Sequence, residues 1–86
     1  MKTFSTNEEF FRSVTEIIAR MVHGGHTEAA EEIQLGYSCL NGLTDGWASF
    51  MESIEKVLAA HGQRLPFDQS SELKAMLNFV RKVVYR

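Results

Sequence analysis

Apolar side chains recur along the chain at steps of one, three and four residues in four separate stripes, with turn-forming residues between them. The first stripe is Phe10, Phe11, Val14, Ile17, Ile18, Met21 and Val22, which is one face of a single helix. Ser5 and Thr6 stand before it as candidate N-cap hydroxyls, each followed three residues on by a glutamate, Glu8 or Glu9. That spacing is the capping-box signature, and the Gly24-Gly25 pair behind the stripe supplies the left-handed backbone that closes a helix. A second stripe runs through Ala29, Ala30, Ile33, Gly36, Tyr37 and Leu40, with Thr27 as its cap, Glu28 in its first turn and Asn41-Gly42 as its stop. A glycine inside a helix costs about 1 kcal/mol against alanine, so Gly36 predicts a point where a neighbouring helix comes close.

The third stripe is Trp47, Phe50, Met51, Ile54, Val57 and Leu58, with Thr44 or Asp45 as cap and Gly62 as terminator. The fourth is Leu73, Met76, Leu77, Val80, Val83 and Val84. It starts near Asp68, leaves Pro66 outside, and carries Arg81, Lys82 and Arg86 at the negative end of its dipole. No stretch alternates with period two around a hairpin turn. Short connections favour antiparallel neighbours, so the expected fold is all-α, a four-helix up-and-down antiparallel bundle, with residues 1–86 forming one helical domain.

Composition sharpens this picture in three respects. A chain of 86 residues with 44% hydrophobic and 23% charged residues is globular rather than disordered, and is too short to hold a separate cofactor domain. Its single cysteine, Cys39, excludes an internal disulfide. Neither a signal-peptide pattern nor an apolar run approaching the roughly 20 residues of a membrane span is present, which points to the cytoplasm and to no membrane role.

Charge is distributed unevenly although the net value is only −2. Between Met21 and Lys56 the chain carries Glu28, Glu31, Glu32, Asp45, Glu52 and Glu55 before any Lys or Arg, whereas Arg64, Lys74, Arg81, Lys82 and Arg86 outnumber the acids that follow. Glu28, Glu31 and Glu32 share a helical face, where like charges repel by a few tenths of a kcal/mol. Internal neutralisation, by Glu52 pairing with Lys56 or by the basic fourth helix, is the ordinary reading of such acids. The functional reading is an acidic surface on the second and third helices that steers a basic protein partner onto itself. Its candidate residues are Glu28, Glu31, Glu32, Leu35, Asp45, Trp47 and Glu52. Leu35 and Cys39 stand on the shoulder of the second stripe, and are read as core flank first and as an apolar strip for a partner second. Trp47, in the first turn of its helix, is either core or an interface anchor.

Other chemistries fit less well. An up-and-down bundle gathers His23, His26 and His61 at one end with Asp68 as a fourth ligand, but a flexible Gly-Gly separates the first two and no metal motif supports them. No metal or other cofactor is therefore expected. Cys39 lies about 20 Å along its helix from those histidines, too far for a nucleophile and base. Gly24-Gly25 lacks the flanking residues of a phosphate loop, and a third helix with Glu52 and Glu55 would repel nucleic acid. The expectation is a non-enzymatic interaction module, immunity-like or inhibitor-like in its most concrete form. The alternative is a homodimeric bundle of structural or regulatory role, with Phe67 and Phe79 as first suspects for the contact, since both fall outside the stripes with Phe4.

Overall fold

Four helices account for the described residues, 4–40 and 44–85, in a computed structural model: α1 (Asn7–His23), α2 (Thr27–Ser38), α3 (Thr44–His61) and α4 (Phe67–Val84). Thr6 opens α1 in the manner its sequence predicts. Its backbone is extended (φ −139°, ψ 161°), so the hydroxyl accepts the Glu9 N–H at 3.1 Å. At the other end the Gly25 N–H donates to the Val22 carbonyl and the His26 N–H to the Met21 carbonyl, the paired bonds of a Schellman turn. Gly25 takes φ 84° to allow it, a value that side chains other than glycine rarely adopt.

The second helix departs from its sequence pattern at both ends. His26 rather than Thr27 occupies the N-cap, with ψ 55° and no side-chain cap bond, and Thr27 is the first helical residue. The helix stops at Ser38, two residues before Leu40. There the Ser38 hydroxyl donates to the Leu35 carbonyl at 2.6 Å and the Cys39 thiol approaches the same oxygen at 3.6 Å. These side chains compete with the backbone for that carbonyl, and the chain tightens into three-residue bonds, Cys39 N–H to Gly36 and Leu40 N–H to Tyr37. The stop assigned to Asn41-Gly42 lies outside the described residues, as do the cap side chains of Thr44 and Asp45. In the last helix Pro66 is the N-cap and Phe67 the first residue, one position before the expected Asp68.

Ring contacts and ion pairs fix the direction of the helices. Phe10, at the start of α1, touches Trp47 and Phe50 at the start of α3 (5.9 and 6.0 Å between centroids) and Phe79 near the end of α4 (4.4 Å). Phe11 beside it reaches Tyr37 at the end of α2. Arg20, near the end of α1, pairs with Glu72 near the start of α4. Each helix thus runs back along its predecessor, as an up-and-down bundle requires. Sequential helices share most of the packing, while α1 and α4 approach over much less backbone.

All four helices contribute to one core. Phe10, Val14, Ile17, Met21, Ile33, Phe50, Ile54, Leu73, Met76 and Val80 are fully enclosed, each the inward member of its predicted stripe. Stripe edges fare differently: Ile18, Tyr37, Leu58 and Val84 are half-buried against the core, and Val22 is exposed. Leu65, in the connection before α4, is buried as well.

Candidate partner-binding surface

At the crossing of α2 and α3 the two backbones come unusually close. A Cβ placed on Gly36 would lie 2.6 Å from Ser53 Cβ and 3.1 Å from Phe50 Cδ1, so only glycine fits between the helices. The mid-helix glycine is explained by that approach rather than by a turn. Outward of the crossing lies an open groove of ≈ 610 Å³, lined by both helices. Gly36 and Ser53 form its floor, and Glu32, Leu35, Glu52 and Lys56 stand along its walls. Cys39 closes one end, half-buried.

Of the candidate residues, Glu32, Leu35 and Glu52 come together in this groove, and Glu28 joins Glu32 in a smaller hollow next to it that His61 also lines. Glu31 is exposed on α2 and lines neither space. Asp45 falls outside the described side chains. Trp47 is elsewhere: half-buried, it packs against Phe10, Phe11 and Phe79 in the aromatic cluster at the opposite side of α3. Leu35 corrects the first reading of the sequence, because it is 63% exposed and no part of the core flank. At 100° per residue Leu35 is about 160° around the helix from the buried Ile33 and about 100° from the buried Gly36, so it faces outward.

The electrostatics differ from the expected internal pairing. Lys56 pairs with Glu32 at 3.6 Å across the helix crossing, not with Glu52. Arg81 of α4 reaches Glu55 at 3.0 Å, so the basic fourth helix does neutralise one acid of α3. Glu28, Glu31 and Glu52 form no ion pair with the described residues. Exposed pairs of this kind contribute about 0–1 kcal/mol each, too little to lock the groove shut.

Two other sequence expectations change. Phe79 is not an exposed contact: it stacks on Phe10 and takes Phe4 edge-on at 5.6 Å. Phe67 is 85% exposed and twelve residues away on the same helix. Of the three histidines, His26 and His61 line a common hollow with Glu28 and Arg64, while His23 is exposed apart from it. Among the described residues no group of three or more His, Cys, Asp or Glu is placed to hold a metal ion. None of their helices is long and apolar enough to cross a membrane.

Sequence reasoning missed the polar residues inside. Ser13, Ser53, Gln69 and Glu72 are buried. Carrying the α4 stripe backwards from Leu73 by helical steps reaches Glu72 and Gln69, which was the available signal. No protein-family model, curated protein or solved structure matches this chain, so its functional reading rests on the surface itself.

Proposed function

We propose that this protein is a non-enzymatic interaction module of the cytoplasm that captures a basic protein partner on the α2–α3 surface, in the manner of an immunity or inhibitor protein. The observation that carries the reading is Leu35, a large apolar side chain exposed on the wall of an open groove, on the same two helices as Glu28, Glu31 and Glu52, which form no ion pair among the described residues. Apolar contact at the centre with charge at the rim is the anatomy of a binding surface. A basic partner also relieves the repulsion among the α2 glutamates, so its approach is accelerated and made salt-sensitive.

Affinity capture from native lysate tests this, comparing the wild type with a Glu28→Lys, Glu31→Lys, Glu52→Lys triple variant at low and high salt. The expected result is a basic protein retained by the wild type at low salt, released at high salt and absent from the variant. Identical proteins on both columns would refute the acidic surface. Self-association is the second reading, favoured by the exposed Phe67 on α4. A sedimentation coefficient that rises with concentration is its signature.

A further inference from the structure

The outer side of α4 carries a row of exposed or half-exposed residues at steps of three and four: Phe67, Ser71, Lys74, Asn78, Lys82 and Tyr85. Phe67 and Tyr85 at its ends are 85% and 72% exposed, and Lys74 and Lys82 between them form no ion pair with the described residues. This row is basic and aromatic where the α2–α3 groove is acidic with one exposed leucine. The Ser53 hydroxyl, in a residue only 7% exposed, lines the groove floor. We propose that a second copy of this chain docks on the outer face of α2 at the edge of the α2–α3 groove, laying the outer row of its α4 along α2 with Phe67 against Leu35.

Helical spacing supports this choice of occupant beyond the sign of the charges. Phe67 and Lys74 are seven residues apart, and so are Leu35 and Glu28, about 10 Å in each case. With α4 of one copy antiparallel to α2 of the other, Phe67 meets Leu35, the Ser71 hydroxyl faces Glu31 and the Lys74 ammonium faces Glu28. Asp68 is about 100° off this row and stays outside the contact. The aromatic ring supplies the apolar centre and the lysine the paired rim. Such a contact is small, so it is a transient interface whose strength depends on salt.

The proposal rests on the reading of α2 as an acidic docking surface, with the exposed lysines of a second copy as the basic element, and one set of experiments separates their fates. Sedimentation velocity of the full chain is run from about 10 μM to about 1 mM, the range of a weak interface, at low and high salt. Wild type is expected to associate at low salt and dissociate at high salt. Glu28→Lys with Glu31→Lys, and Lys74→Glu with Lys82→Glu, should each weaken association at least about tenfold, while an equimolar mixture of the two variants restores it. Phe67→Ala should weaken it without restoring partner. All these positions are exposed, and unchanged circular dichroism confirms that the variants remain folded. A wild type that stays monomeric at low salt, or a mixture that does not re-associate, overturns the proposal. Titration of the wild type and the α2 double variant with a basic amphipathic helical peptide then decides the parent reading. Binding lost in the variant keeps the acidic docking surface with a different occupant, and no binding to either removes both.

Discussion

At Gly36 a hydrogen atom stands where any side chain would strike α3, and this residue shows how closely sequence and packing can agree. Alanine there gains about 1 kcal/mol of helix propensity. It must also push Ser53 and Phe50 away, an overpacking cost near the upper end of the usual range, about 3 kcal/mol. Gly36→Ala should therefore lower stability by about 2 kcal/mol, read as a lower urea midpoint, and an unchanged midpoint would mean that the crossing relaxes freely. Ser53→Gly in that background should cost less than it does alone, because the two sites share one contact. Gln69 is the opposite case. Its Oε1 is enclosed without a hydrogen-bond partner, a state that costs about 1–3 kcal/mol. Gln69→Leu, similar in size, should raise the melting temperature, with a gain of about 1 kcal/mol. Gly36 is legible in the sequence because glycine in a helix is locally costly. The α4 stripe carried backwards marks Gln69 as inward, but nothing local marks the isolation of its oxygen, which depends on what surrounds it.

Among the elements, α1 is the best written and α2 the least. The first helix has a cap hydroxyl with a bond and a two-bond glycine terminator, both made by residues within a few positions of one another. Thr6→Ala should cost about 1 kcal/mol, measured as a drop in chemical stability; no loss would show that tertiary contacts alone hold the first turn. The second helix is the shortest, has no side-chain cap and ends early where Ser38 and Cys39 bond the Leu35 carbonyl. Local instability of that kind exposes amides first. Its last turn should lose deuterium protection before the middle of α1 does, and equal protection of the two would contradict the account. The helix that carries the candidate surface is thus the one held mainly by its neighbours.

For the whole molecule the critical seam is between α1 and α4, which share the least packing of any neighbouring pair in the bundle. It is closed at one end by the Phe10–Phe79 stack and at the other by Arg20 bonded to Glu72, whose side chain is almost wholly buried. Removing the arginine takes a cation away from a carboxylate that is almost wholly buried, which costs more than the pair itself contributes. Arg20→Met should destabilise the bundle by about 1–3 kcal/mol, a large share of the roughly 4–13 kcal/mol expected for a chain of this length, and thermal unfolding measures it. A shift smaller than that would mean that Glu72 finds solvent. The remaining ion pairs, Glu32 with Lys56 and Glu55 with Arg81, tie α2 to α3 and α3 to α4 at the surface, and leave the outer acids of α2 available.

The amino-acid sequence by itself determined the number of helices, their order, most of their boundaries and the inward residues of each, because periodicity, caps and terminators act over a few residues. It also determined that acids gather on the middle two helices and bases on the last. The tertiary structure decided which charges meet, that Lys56 takes Glu32 rather than Glu52, that Leu35 is exposed while Phe79 is half-buried against the core, and that Gly36 and Ser53 floor a groove. These outcomes depend on the rotation and offset of each helix against the next. Rotation and offset are set by interlocking side chains from different elements, so a stripe can name the face a helix buries but not what its edges will touch.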